Sequence, residues 1–154
     1  ACAGIGLSLV LFCDLRFVAA DAKITTAAPK LGLPAEYGAS WMLPRLIGLT
    51  RATDLLVSGR FVTGDETADW GLWNGVEPNG AATLTAAQRY GQLLARTTGP
   101  NAVAMTKRQI AADLLRHDPA ASVADSLRLL DEAMGTAEYR EGVAALTEKR
   151  PPNF

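Results

Sequence analysis

Ala3-Gly-Ile-Gly-Leu-Ser-Leu9, running on into Cys13-Asp-Leu-Arg-Phe-Val-Ala-Ala20, sets the character of this chain. Gly4 and Gly6 make a flexible turn in which the backbone can be closely approached. Leu7, Leu9, Val10 and Leu11 follow at once and predict a buried helix. Leu15 to Ala20 (LRFVAA) and Lys23 to Ala27 (KITTA) predict two short strands joined at Asp21. The order is that of a mixed α/β structure.

Working outward, Gly32 to Pro34 reads as a loop, and a helix is expected from Tyr37 to Leu46, ended or kinked by Pro44. Thr50 is placed to cap a helix over Arg51 to Val57. Thr63 and Glu66 have capping-box spacing and predict a further helix, ended by Gly71. Leu72 to Val76 reads as a strand and Pro78-Asn79-Gly80 as a turn. From Thr83 the character changes. Thr83 to Thr97, Asn101 to Arg116, Ala120 to Met134 and Ala137 to Lys149 all read as helices, broken at Gly99-Pro100 and Asp118-Pro119. Val123, Leu127, Leu130 and Met134 form one apolar stripe at helical spacing. This helical tail is short for an independent domain, so it is expected to pack on the core or on another subunit.

Composition narrows the function. The 154 residues carry a net charge of −1, with 49% hydrophobic and 20% charged residues, which is a globular balance. Nucleic-acid binding needs a basic face, and no run of Lys or Arg supplies one. The two cysteines, Cys2 and Cys13, are too few for a disulfide framework and lack zinc-ligand spacing. A reducing cytoplasm is the expected location. The apolar run from Gly4 to Cys13 is too short for a membrane span of about 20 residues. No His, Cys and carboxylate cluster implies a metal. The chain opens on Ala1 without Met, as a fragment, a processed chain or an incomplete record would.

Four segments, in this order, resemble the crotonase family, the enoyl-CoA hydratase/isomerase superfamily. The first is the opening stretch, similar to that family's glycine-rich turn, buried helix and "CD" strand. The second is Leu31-Gly-Leu-Pro-Ala-Glu-Tyr-Gly38 with Leu43-Pro-Arg-Leu-Ile-Gly48. The third is Leu56-Val-Ser-Gly-Arg60 with Trp70-Gly-Leu-Trp-Asn-Gly-Val76. The fourth is Glu141-Gly-Val143 with Glu148-Lys-Arg-Pro-Pro-Asn-Phe154. The resemblance implies an α/β fold: a ClpP/crotonase-like spiral β/α core over residues 1–98, in its C-terminal part, then a helical trimerisation region over 99–154. It covers the last three-fifths of a family member. The family's N-terminal strands, which supply one oxyanion-hole amide and part of the CoA grip, are expected to be absent.

The chemistry implied by the resemblance is enolate stabilisation beside an acyl-CoA thioester. Donors aimed at developing charge in a dry site are each worth about 3 kcal/mol, and a helix N-terminus adds its positive end. The oxyanion amide maps onto the Ile5 N–H, with Gly4 and Gly6 flanking it. The family's two glutamates map onto Ser8 and Ala28, neither of which can act as a base. Two-glutamate hydration is therefore not expected. Glu36 is the replacement acid/base, because relatives carry an acidic residue at this point of the loop. A one-base double-bond isomerase suits one carboxylate better than a hydratase does, and a hydratase that pairs Glu36 with a differently placed partner is the other enzyme the resemblance implies.

Tyr37 and Trp41 could line an acyl pocket, although aromatic residues at this spacing are more often core. Lys149 resembles a lysine near the CoA adenine. His117 reads as a helix-end residue and Asp14 as structural. No cofactor is bound permanently, since CoA is part of the substrate. The expected assembly is a homotrimer or a dimer of trimers, with neither nucleic acid nor membrane as partner. The alternative is a catalytically inactive acyl-CoA-binding or assembly remnant.

Overall fold

A computed structural model describes every residue from Ala1 to Phe154. The first half alternates short strands and helices: β1 (Cys2–Ala3), α1 (Ile5–Leu11), β2 (Phe17–Ala19), β3 (Lys23–Thr25), α2 (Ala39–Ile47), α3 (Leu49–Ser58), β4 (Val62–Thr63) and β5 (Gly75–Glu77). A 3₁₀ turn, Ala28–Leu31, lies between β3 and α2. Four helices follow: α4 (Gly80–Thr97), α5 (Pro100–Asp113), α6 (Pro119–Met134) and α7 (Ala137–Glu148). The chain forms two compact units, Ala1–Arg89 and Tyr90–Phe154, with the border inside α4.

In the first unit the strands form two sheets. One has the order β1-β3-β4, with β1 parallel and β4 antiparallel to β3. The other pairs β2 with β5 in parallel, Val18 opposite Val76. The two strands read from sequence on either side of Asp21 are both present, but they belong to different sheets. Gly64 is pressed against this corner. Its N–H donates to Ala22 O at 3.1 Å, and a Cβ there would meet Ala19 O.

Several boundaries depart from the sequence reading for local reasons. α2 begins at Ala39, because Tyr37 and Gly38 have φ of 48° and 76° and break the helical path. Pro44 does not end it; α2 continues to Ile47 and stops at Gly48. Gly48 also precedes α3, so Thr50 is inside that helix and caps nothing. No helix follows Thr63. Its hydroxyl does accept the Glu66 N–H at 3.1 Å, but the Glu66 carboxylate turns away to Arg60 at 2.7 Å, and the segment runs as turns. The strand read at Leu72 to Val76 starts instead at Gly75, and Leu72 is fully buried.

The core of the first unit joins Leu7 and Leu11 of α1 to Ile24, Leu43, Ile47, Leu55, Val62 and Leu72. Leu9, on the other face of α1, is exposed, so α1 is buried along one stripe only. Thr25 and Thr26 enter this core with their hydroxyls satisfied, donating to Gly59 O at 2.9 Å and Leu55 O at 2.8 Å. A buried hydroxyl bond of this kind contributes about 1 kcal/mol net. Arg16 ties the loop after α1 to the segment before β5, donating to Leu72 O at 2.8 Å and to Cys13 O at 2.5 Å. The indole N–H of Trp73 donates to Thr67 Oγ1 at 2.9 Å. Arg45 and Arg51 stack on Trp41 and Trp70, at 4.0 and 5.2 Å from the ring centres.

In the second unit, α5 packs on α6 and α6 on α7. Asp118 caps α6 through Ala120 N and Ala121 N, and Thr136 caps α7 through Tyr139 N. Glu138 caps the start of α5 from α7, accepting Asn101 N at 3.1 Å and Ala102 N at 2.9 Å. These donors hold its carboxyl below the usual range, Ala102 first. Ala145 is the only hydrophobic side chain of this unit that is fully buried. The stripe of Val123, Leu127, Leu130 and Met134 lies exposed along α6. No helix is long and apolar enough to cross a membrane.

Candidate active site

Gly4 begins the site. Its φ of 53° and ψ of −127° place it in a region that L-residues avoid. The requirement is torsional, since a Cβ there would meet nothing closer than 4.0 Å. The Gly4 N–H belongs to the sheet, donating to Thr25 O at 3.0 Å. The first helical bond of α1 is Ser8 N–H to Gly4 O at 3.1 Å. The N–H groups of Ile5, Gly6 and Leu7 precede it and have no intrahelical acceptor.

A small cavity opens beside this turn. It is lined by Gly4, Leu7, Ser8, Thr26, Ala28, Ala35, Glu36, Ala39 and Leu56, and its volume is about 10 Å³. That is close to the least that admits one water. Glu36 is the sole ionisable residue in this lining and is half-buried. It stands three residues before α2, in a turn closed by Ala39 N–H to Glu36 O at 3.0 Å. Ala28 is buried at the start of the 3₁₀ turn, behind Ala27 with φ of 61°. The Ala27 N–H is taken by Thr25 Oγ1 at 3.1 Å, and Leu33 N–H closes the loop onto Ala28 O at 3.0 Å.

The structure thus brings Gly4, Ser8, Ala28 and Glu36 to one cavity. Gly6 faces elsewhere, onto an open apolar groove of about 790 Å³ shared with Val10, Leu15, Phe17 and Trp73. Tyr37 is exposed beside Glu36 and outside the cavity lining, and Trp41 is occupied by Arg45. In the second unit, Lys149 is the left-handed residue that ends α7, with φ of 53°. His117 is exposed in the link between α5 and α6, and Asp14 is exposed after α1. No group of three or more His, Cys, Asp or Glu side chains could hold a metal ion.

Sequence reasoning missed two features here. The resemblance presents Ser8 only as a lost carboxylate, yet its hydroxyl reaches Gly4 O at 3.4 Å and Glu36 O at 3.3 Å. Thr26 lines the cavity and Thr25 O accepts the Gly4 N–H; their signal, two adjacent threonines, is weak alone.

A glycine-started helix set over a cavity with one carboxylate, on a two-sheet spiral of short strands and helices, is the architecture of a crotonase-type protein. The family model described as enoyl-CoA hydratase/isomerase matches residues 1–154, and the chain belongs to that family. It is 35% identical over 156 residues to a probable enoyl-CoA hydratase of Rhodobacter capsulatus, covering 100% of this chain and 59% of the relative. It is 33% identical over 154 residues to the 1,2-epoxyphenylacetyl-CoA isomerase of Escherichia coli, covering 99% and 57%. A crystal structure of a probable enoyl-CoA hydratase/isomerase from Mycobacterium abscessus superposes with a TM-score of 0.94 at 28% identity, covering 99% of this chain and 60% of that one. The chain therefore spans less than two-thirds of the length of these relatives.

Proposed function

We propose that this chain carries the proton-transfer half of an acyl-CoA hydratase/isomerase site and acts as a one-base double-bond isomerase. The observation that supports this most is the placing of Gly4 and Glu36 on one cavity, with Ile5 next in the chain. The thioester oxygen of the substrate accepts the Ile5 N–H. The Glu36 carboxylate removes a proton from the α-carbon of a 3-enoyl thioester, and the electron pair delocalises onto that oxygen as an enolate. The protonated Glu36 then returns the proton to the γ-carbon, giving the 2-enoyl thioester. No water or other atom is added, so one carboxylate suffices. Hydration would need a second group to activate water, and Ser8 and Ala28 supply none.

Gly4 and Ala28 border the acyl thioester in this reading, and Lys149 meets the CoA moiety. CoA enters and leaves as part of the substrate, with no permanently bound cofactor. Residues 1–98 serve chemistry and 99–154 assembly, as a homotrimer or a dimer of trimers. Two unpaired thiols, Cys2 and Cys13, suit a cytoplasmic location, and the substrate class suits fatty acid metabolism.

Glu36→Gln in the native full-length protein tests the reading. Turnover of 3-hexenoyl-CoA is expected to fall about 100-fold or more, with CoA-thioester binding retained. Unchanged turnover would return Glu36 to a loop role. No turnover by the wild type on any enoyl-CoA or dienoyl-CoA would favour an inactive acyl-CoA-binding or assembly remnant.

A further inference from the structure

The proposed site needs an amide at the start of α1 and a carboxylate on the loop before α2 held at a fixed separation. α1 touches both. Its first turn carries Gly4 and Ile5. One turn on, the Ser8 hydroxyl lies between Gly4 O and Glu36 O, at 3.4 and 3.3 Å, and Ser8 is only 4% exposed. At the far end of α1 the Phe12 ring lies against Gly38, where a Cβ would come within 2.9 Å of it. The loop between these two supports carries left-handed residues at Tyr37 and Gly38. A non-glycine residue persists there only where its surroundings hold it.

The fold does not require the Ser8 hydroxyl. Gly4 O already accepts Ser8 N–H at 3.1 Å, and Glu36 O already accepts Ala39 N–H at 3.0 Å. Losing the hydroxyl leaves neither oxygen without a donor, and alanine is the better helix former. A hydroxyl has one proton to donate. Of its two acceptors, only Glu36 O lies outside α1's own first turn.

We infer that Ser8 is a positioning residue for the proton transfer: its hydroxyl ties the main chain of Glu36 to the first turn of α1 and so fixes the carboxylate relative to the Ile5 N–H. This rests on the acid/base reading of Glu36. Ser8 itself neither gives nor takes the transferred proton. A misplacement of about 1 Å can cost about 100-fold in rate, so a weak tether can matter to kcat while adding little to stability.

The test is a double-mutant cycle in the native full-length protein, with 3-hexenoyl-CoA as probe. Ser8→Ala is expected to lower kcat about tenfold or more, with KM changed less than about twofold and the urea midpoint unmoved. In the Glu36→Gln background the same change is expected to add nothing, because the group it positions is gone. Ser8→Thr, which keeps the hydroxyl, should return much of the rate. Wild-type turnover by Glu36→Gln would remove the base assignment, and the Ser8 role with it. A deficient Glu36→Gln beside an unaffected Ser8→Ala would overturn the Ser8 inference alone. So would a Ser8→Ala loss of equal size in both backgrounds, or one that tracks a lowered urea midpoint.

Discussion

Ser8 and Ala28 put a hydroxyl and a methyl where the family resemblance sets two carboxylates, and Glu36 is the one acid left on the cavity they share. The resemblance named these positions in the sequence; that they share one cavity is what the structure adds. What the sequence could not give was direction. Gly6 and Tyr37 are neighbours of site residues in the chain, yet neither lines that cavity, since successive residues of a turn point to different sides. Elsewhere, one carboxylate has a pH dependence that can be worked out. Glu141 takes a two-pronged bond from Arg150, at 2.6 and 3.0 Å, and the Asn153 N–H at 2.7 Å. Arg150 first, then that N–H, pulls its carboxyl from 4.5 down to about 2. A depressed carboxyl stabilises the fold fully above its unfolded value and loses that contribution as pH falls through its folded one. The last residues, 150–154, are therefore expected to stay fastened above pH 4.5 and to loosen between 4.5 and about 2. Amide exchange at Asn153, corrected for its intrinsic pH dependence, reads this. Protection that is flat across the window would contradict it.

At the level of elements, all four helices of the second half were legible, but α4 starts at Gly80 rather than Thr83, where Asn79 Oδ1 accepts Ala82 N–H, and α5 stops at Asp113 rather than Arg116. One departure in the first half came where a side chain found a better partner at a distance. Glu66 left its capping box for Arg60, and a helix read after Thr63 became turns. Gly48 shows the opposite lesson. It joins α2 to α3 with φ of 79° and ψ of 159°, a conformation open to glycine alone. Gly48→Ala is expected to destabilise the protein by about 1–3 kcal/mol, although a Cβ there would meet nothing within 4 Å. Gly91→Ala, inside α4 and equally unobstructed, is expected to stabilise by about 0.5–1 kcal/mol. Urea midpoints at constant slope would read both, and a shared sign would refute the torsional account.

Across the whole molecule, burial is uneven. The first unit has a continuous apolar core; the second leaves Val123, Leu127, Leu130 and Met134 open along one helix. Sequence shows such a stripe readily but cannot say what covers it. If assembly through the helical region covers it, Leu127→Glu should shift the native full-length protein to smaller species in sedimentation, with helical content kept. An unaltered sedimentation coefficient would exclude α6 from the contact.

The division into two units also has an optical consequence. Trp41, Trp70 and Trp73 all belong to the first unit, while the second carries only the tyrosines Tyr90 and Tyr139 among emitting rings. Indole emission therefore watches the strand-bearing half alone. Far-ultraviolet ellipticity is dominated by α4 to α7. Followed together through a denaturant titration, the two signals separate melting of the helical region from melting of the strand-bearing one, with no label added.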